Sequence, residues 1–135
     1  MPAGSRHEAR ERALELLYEA EAKDLPPAAV LDDLIVDPDP FAVDLVTGVG
    51  ARLEEIDGHL ARLATEWPLD RMAWVDRNIL RLGAFELVGR PDVPTAVVLS
   101  EAVELAKRFS TDEAGRFVNG VLAALAKEVR PGTSR

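Results

Sequence analysis

Apolar residues recur every three or four positions along most of the chain, and this spacing places them on one face of an α-helix. The pattern begins near Ser5 and runs through five long segments, which cover residues 5–20, 41–64, 72–88, 95–109 and 112–129. A shorter helix is predicted over residues 28–34. No stretch alternates apolar and polar residues for long enough to indicate a β-strand. The pattern therefore predicts an all-α protein of six or seven helices.

A tryptophan–proline pair separates the predicted helices into two groups. Trp67 and Pro68 interrupt the apolar pattern after residue 64 and before residue 72. The length of 135 residues corresponds to about one domain. We therefore expect a single domain, residues 1–135, with an N-terminal sub-bundle at about residues 5–64 and a C-terminal sub-bundle at about residues 68–130.

Two of the predicted helices begin with the signature of a capping box. In this motif a serine or threonine and a glutamate three residues later each accept a hydrogen bond from the other's backbone N–H. Ser5 and Glu8 have this spacing at the first helix, and Ser110 and Glu113 have it before the last helix. We expect both pairs to fix the start of their helix.

Several glycines lie inside the predicted helices, where each costs roughly 1 kcal/mol relative to alanine. We interpret Gly48, Gly50 and Gly120 as positions at which two helices approach closely. Asn119, beside the last of them, is expected to satisfy buried backbone groups.

The charge of the chain is acidic but unevenly distributed. The sequence has 24 acidic and 16 basic residues, for a net charge of −8. Residues 13–59 hold twelve acidic and two basic residues, whereas the rest of the chain sums to +2. A negative total argues against a protein that coats nucleic acid with its whole surface. It remains compatible with a small basic site outside the acidic segment.

Cysteine usage and hydropathy limit the compartment and the chemistry. The chain has no cysteine, which excludes disulfides, thiolate metal sites and thiol catalysis. No apolar run approaches the roughly 20 residues that span a bilayer, and no apolar signal segment follows the first residues. We expect a cytoplasmic protein that makes no use of a membrane.

The spacing of histidines and carboxylates does not indicate an enzyme. Glu55 and His59 are four residues apart, but a di-metal bundle requires a Glu-x-x-His pair on each of two helices. Asp37 and Asp39 alternate with prolines, which is typical of a turn and not of a calcium loop. No glycine-rich phosphate loop is present. We therefore expect no catalytic activity, no metal and no cofactor.

A basic cluster at the N-terminus favours RNA binding. Arginine binds phosphate through two parallel hydrogen bonds and stacks on bases. The cluster consists of Arg6, His7, Arg10 and Arg12. Tyr18 follows in the same helical row as Arg10, and Phe117 stands beside Arg116; aromatic rings next to arginines hold unstacked bases. The alternative is an ordinary charged helix surface with core aromatics.

Five segments, in order along the chain, resemble the NusB family of transcription antitermination factors. They are residues 10–18 (RERALELLY), 45–49 (LVTGV), 77–87 (RNILRLGAFEL), 101–109 (EAVELAKRF) and 117–122 (FVNGVL). The resemblance extends over roughly residues 5–130, and the last two segments are its most specific parts.

The resemblance implies an all-helical RNA-binding protein without catalytic activity. Family members bind the single-stranded boxA element of nascent ribosomal RNA together with NusE, a protein of the small ribosomal subunit. The pair joins RNA polymerase, NusA and NusG and suppresses premature termination. The RNA-binding positions that the resemblance implies in this chain are Arg6, His7, Arg10, Arg12, Tyr18, Arg81, Arg90, Arg116 and Phe117. The implied NusE-binding positions are Asp70, Asp76 and Glu113.

Two other interpretations stay open at this point. Glu8 and Glu11 interrupt the basic cluster. An interrupted cluster is also expected of a pure protein–protein adaptor whose RNA site is weakened. Some relatives self-associate, so a homodimer that masks the RNA surface is a further option. The same domain also occurs fused to ribosomal RNA methyltransferases, but we expect no methyltransferase here because the chain ends at Arg135, soon after the domain.

Overall fold

The computed structural model describes residues 5–132, and every regular element in that range is helical. The six α-helices are α1 (Arg6–Ala22), α2 (Pro40–Ala51), α3 (Leu53–Leu63), α4 (Trp74–Gly89), α5 (Thr95–Phe109) and α6 (Asp112–Val129). Two 3₁₀ helices, Pro27–Asp33 and Leu69–Arg71, lie in the connections. The predicted all-α fold is confirmed, and the bounds of α5 and α6 agree with the prediction to the residue.

The structure confirms one predicted capping box and corrects the other. At α1, the Ser5 hydroxyl accepts from the Glu8 N–H at 3.2 Å and the Glu8 carboxylate accepts from the Ser5 N–H at 3.0 Å. At α6 the cap is Thr111, whose hydroxyl accepts from the Ala114 N–H at 2.9 Å. The prediction of Ser110 is wrong because Ser110 ends the preceding helix α5.

The single helix predicted over residues 41–64 is two helices. The chain leaves helical geometry at Arg52, where φ is −117° and ψ is 23°. Helix α2 packs on α1 and α4, whereas α3 packs on α4 and α6. The break redirects the chain so that both apolar faces reach the core. The short helix predicted over residues 28–34 is the 3₁₀ helix Pro27–Asp33.

Helix α4 lies at the centre of the molecule and contacts every other α-helix. Its Ile79 and Leu80 side chains are fully buried, and burial of one such side chain stabilises the fold by about 1.5–3 kcal/mol. One continuous hydrophobic cluster joins residues of all six helices. The division into two sub-bundles stays a prediction.

The helix glycines have two different environments. A Cβ at Gly48 would lie 2.1 Å from the Phe85 ring, and one at Gly50 would lie 3.3 Å from Pro27. The predicted close approach at Gly48 and Gly50 is therefore confirmed. At Gly120 a Cβ would meet no atom within 4 Å. Gly120 and Asn119 are exposed on the outer face of α6, so the structural roles predicted for both residues are wrong.

Candidate nucleic-acid interface

Arg10 is buried inside the predicted basic cluster. Its side chain is 4% exposed and binds Glu86 of α4 through two parallel hydrogen bonds of 2.8 and 2.7 Å. A third contact, 3.4 Å long, reaches Glu101 of α5. Burial lowers the pKa of Arg10, but the hydrogen bonds and negative charge of Glu86 raise it by more, so that the pKa is raised overall. The prediction that Arg10 contacts RNA is inconsistent with this geometry, because its donors already bind α4 and α5.

Arg6 and Arg90 converge on the ring of Phe41. Their guanidinium carbons lie 4.4 and 4.9 Å from the ring centroid, within the range of cation–π attraction. Arg6 is about half exposed. The two arginines, together with Phe41, line a shallow cavity of about 360 Å³. The structure therefore brings together two predicted RNA-binding residues that are 84 positions apart in the chain.

Carboxylates compensate much of the charge of Arg90. It donates to Asp44 at 2.7 Å and to Asp92 at 3.0 Å. These hydrogen bonds raise the pKa of Arg90, and the Arg90 guanidinium lowers the pKa of Asp92 to about 2. Arg6 lies 3.6 Å from the same Asp92 carboxylate. The pair is thus less cationic than the sequence alone indicates.

The other two members of the N-terminal cluster differ in their surroundings. His7 lies between Glu101, 2.9 Å from Nδ1, and Glu11, 3.2 Å from Nε2. The hydrogen bond to Glu101 is the main cause that raises the pKa of His7. Arg12 faces solvent and pairs only locally with Glu15, at 3.2 Å. Arg12 and Arg6 are therefore the more accessible arginines of this cluster.

Both predicted base-contacting aromatics lie against a tryptophan. The rings of Tyr18 and Trp74 are 4.2 Å apart with an interplanar angle of 39°, and those of Phe117 and Trp67 are 5.4 Å apart at 64°. Tyr18 is 46% exposed, Trp67 38% and Trp74 36%. Arg116, beside the half-buried Phe117, is exposed. Sequence reasoning treated Trp67 as a helix break and left both tryptophans out of the site.

Arg81 is engaged in a salt bridge between two helices. Its guanidinium donates two hydrogen bonds of 2.8 Å to Asp57 of α3 and is only 16% exposed. It lines a cavity of about 790 Å³ in which the nearby Arg77 pairs with Glu21 at 2.6 Å. These hydrogen bonds compensate the charge of Arg81, and its predicted RNA contact stays a prediction.

The acidic positions predicted to bind the partner are only partly accessible. Asp70, on the 3₁₀ helix Leu69–Arg71, and Glu113, in the first turn of α6, are exposed. Asp76 is 2% exposed, which does not fit a partner contact because packing in the first turn of α4 covers it. Its Oδ1 atom accepts no hydrogen bond within residues 5–132.

Sequence reasoning missed Arg130, which organises the turn that carries Arg90. The Arg130 guanidinium donates to the backbone carbonyls of Glu86, Leu87, Arg90 and Val93 and to the Thr95 hydroxyl, over 2.7–3.0 Å. Burial lowers the pKa of Arg130. A single arginine just after a predicted helix carries no signal for this role, because all of its acceptors are more than 30 residues away.

Within residues 5–132 no helix is both long and apolar enough to cross a bilayer. The same range contains no group of three or more His, Asp or Glu side chains placed to hold a metal ion.

Comparison with known proteins identifies the family. The model of the NusB family matches residues 7–127. The transcription antitermination protein NusB of Kineococcus radiotolerans is 47% identical over 127 residues, which cover 91% of this chain and 93% of that protein. The NusB structure of T. maritima superimposes with a TM-score of 0.83 at 35% identity and covers 93% and 92% of the two chains.

A second solved structure contains a partner and RNA. The antitermination factors NusB and NusE in complex with dsRNA match with a TM-score of 0.72 at 30% identity, over 91% of this chain and 96% of that one. The family match spans residues 7–127, and each of these relatives is at least 30% identical over more than 90% of this chain. The chain therefore belongs to the NusB family.

Proposed function

We propose that this protein is a transcription antitermination factor that binds boxA-type single-stranded RNA of nascent ribosomal RNA together with NusE. The observation that carries the proposal is the exposure of Tyr18 and the partial exposure of Phe117 beside the exposed Arg116. Exposed aromatic rings near arginines are what proteins use to hold unpaired bases. Relatives named as antitermination proteins support the same function.

The proposed RNA surface is smaller than the set of predicted residues. Its charged members are Arg6, Arg12 and Arg116, with Arg90 and His7 as partly compensated cations. Tyr18 and Phe117 supply the rings. Arg10 and Arg81 are positioning residues that hold α1 to α4 and α3 to α4. With about three phosphates neutralised, the log–log salt slope for a single strand is expected to be roughly −2.

NusE is the proposed protein partner. Asp70 and Glu113 offer exposed carboxylates, whereas the buried Asp76 is left out of the proposed contact. The NusB–NusE–RNA structure of relatives supports this assembly. We further propose that the complex joins RNA polymerase with NusA and NusG in the cytoplasm, and we assign no catalytic step to it.

One observation favours a second candidate function. Arg10, Arg81 and Arg90 are all paired with carboxylates, which is also expected of a protein–protein adaptor whose RNA site has weakened. The two functions differ in their response to RNA sequence, because an adaptor needs NusE but no boxA element.

A mobility-shift experiment with this protein, NusE and RNA in all combinations separates the two functions. We expect the boxA RNA to shift more strongly when NusE is added and to shift more than a scrambled RNA of the same length. The binding should weaken as the salt concentration rises. Binding of NusE with equal affinity for boxA and scrambled RNA would assign the adaptor function instead. Light scattering with and without RNA reports whether a homodimer competes with the RNA complex.

A further inference from the structure

The only two tryptophans of the sequence stand at the connection between α3 and α4. Trp67 lies in that connection and Trp74 is the first residue of α4. They are seven residues apart, so their Cα atoms are at most about 25 Å apart. A short stretch of chain thus carries one ring to Phe117 on α6 and another to Tyr18 on α1.

Both tryptophans are more exposed than is usual for this residue type. Tryptophan is among the most buried side chains on average, yet Trp67 is 38% and Trp74 is 36% exposed. Each ring lies against one aromatic neighbour and is partly open to solvent. Neither belongs to the hydrophobic core cluster of the described residues. The rings therefore present apolar faces to the solvent without being needed for the core.

The surroundings of Phe117 favour a flat, polar-edged ligand. Phe117, Arg116 and Gly120 line a cavity of about 260 Å³, and a Cβ at Gly120 would meet no atom within 4 Å. The wall also holds the Glu66 carboxylate, which can accept hydrogen bonds from a base amino group. An aromatic face, a cation and a hydrogen-bond acceptor at one cavity are the groups that recognise an unpaired nucleobase.

We propose that Trp67 and Trp74 are RNA-contacting residues. Each tryptophan adds a second ring beside a predicted aromatic contact, Trp67 beside Phe117 and Trp74 beside Tyr18. The rings of each pair are inclined by 64° and 39°, so an unpaired base stacks on one ring and contacts the edge of the other; the pair is called a platform below. The proposal rests on the proposed RNA-binding function and adds two residues to its site. Base stacking on one ring is sequence-tolerant, so the two platforms contribute affinity and leave sequence discrimination to hydrogen bonds.

The tryptophans themselves provide the measurement. Trp67→Phe leaves Trp74 as the only indole of the protein, and Trp74→Phe leaves Trp67. Each variant is titrated with boxA RNA in the presence of NusE, and a NusE–RNA mixture serves as the blank. We expect saturable quenching of both indoles at the RNA concentration that produces the mobility shift.

Alanine variants measure the contribution of each platform. We expect Trp67→Ala and Trp74→Ala to weaken boxA binding by about 5- to 150-fold each. Phe109→Ala is the matched control, because Phe109 is 45% exposed and lies 5.3 Å from the Arg108 guanidinium but forms no ring pair within residues 5–132. Its affinity should equal that of the unchanged protein. Circular dichroism melts verify that all variants are folded.

The outcomes distinguish the two levels of inference. If the unchanged protein binds boxA RNA with NusE, but the alanine variants keep full affinity and neither indole is quenched, the tryptophan proposal is overturned and the RNA function stands. If the unchanged protein binds no RNA, both fail. If the alanine variants lose NusE binding in the absence of RNA while their RNA affinity is unchanged, the tryptophans belong to a protein interface and the proposal is also overturned.

Discussion

The N-terminal basic cluster and the two aromatic pairs are regions that differ in how accessible their candidate RNA-binding side chains are. In the first region the arginines are numerous, but Arg10 is buried against Glu86 and Arg90 is held by two aspartates. In the second region Tyr18 and both tryptophans are exposed. The number of basic residues therefore overstates the cationic surface, whereas the aromatic rings that we propose as RNA contacts are accessible.

The difference follows from how each group satisfies its own requirements. A buried guanidinium must be paired, because an unpaired charge in the interior costs several kcal/mol. An aromatic ring at the surface has no such requirement and remains available to a ligand. In this fold the arginines at α1 and α4 hold helices together, and the exposed rings are free to contact bases.

The largest expected effect concerns the stability of the first region. Arg10→Ala leaves the Glu86 carboxylate, which is 3% exposed, without its partner. Removing one member of a buried pair costs about 3–5 kcal/mol. Denaturant unfolding should show this loss, and the double variant Arg10→Met/Glu86→Leu should lose less because no buried charge is left unpaired. If the Arg10→Ala variant kept its stability but lost RNA affinity, Arg10 would be an RNA-contacting residue and not a residue that holds α1 to α4.

The next effect tests whether Arg130 stabilises the turn that carries Arg90. Arg130→Ala removes donors from four backbone carbonyls and one hydroxyl, and unsatisfied buried acceptors cost about 1–3 kcal/mol each when solvent does not replace the donor. We expect a loss of about 3 kcal/mol in the free energy of unfolding. Arg130→Lys should recover little, since one ammonium cannot reproduce the fork of donors.

Lys127, exposed on the same helix, supplies the control for Arg130. Lys127→Ala should change the free energy of unfolding by no more than about 0.5 kcal/mol. Equal losses in the two variants would show that the effect comes from charge at the end of α6 and not from the five hydrogen bonds.

The main response expected in the second region is a loss of RNA binding. Phe117→Ala and Tyr18→Ala each remove a ring that is at least partly exposed, and loss of one stacked base weakens binding by about 1–3 kcal/mol. Titration of boxA RNA in the presence of NusE measures this loss at a temperature at which thermal melts show each variant to be folded. The melting temperature of the Phe117 variant should fall, because Phe117 is partly buried against the hydrophobic core. Retention of full affinity by the Phe117 variant would remove Phe117 from the site.

The fold was largely predictable because local patterns decide it. The apolar period and the flanking Pro94 and Thr111 define α5 and α6 to the residue. The break at Arg52 was missed because apolar residues continue at helical spacing on both sides of it. Only the packing of α2 and α3 on different neighbours requires the chain to turn there.

The site was less predictable because its pairings are distant in sequence. Arg10 and Glu86 are 76 residues apart, and nothing near Arg10 indicates that its charge is compensated from α4. The same holds for Tyr18 and Trp74, which meet only when α1 packs on α4. Sequence therefore identified the residue types that favour RNA binding, but not which arginines are buried or which rings are paired.

The smallest expected effect returns to the first region and depends on pH. Glu101 and Glu11 raise the pKa of His7 against the opposing charge of Arg108, so the protonated imidazole joins α1 to α5 in the folded protein. The folded-state pKa exceeds the unfolded value of about 6.5. The resulting stabilisation is therefore complete below pH 6.5 and disappears as pH rises through the folded-state pKa. Because the His7 side chain is 35% exposed, solvent screening limits the effect to at most about 1 kcal/mol.

The free energies of unfolding of the unchanged protein and of His7→Gln, measured between pH 6 and 8, should converge as pH rises. Added salt should reduce their difference. Parallel pH profiles would show that His7 contributes no charge to this contact.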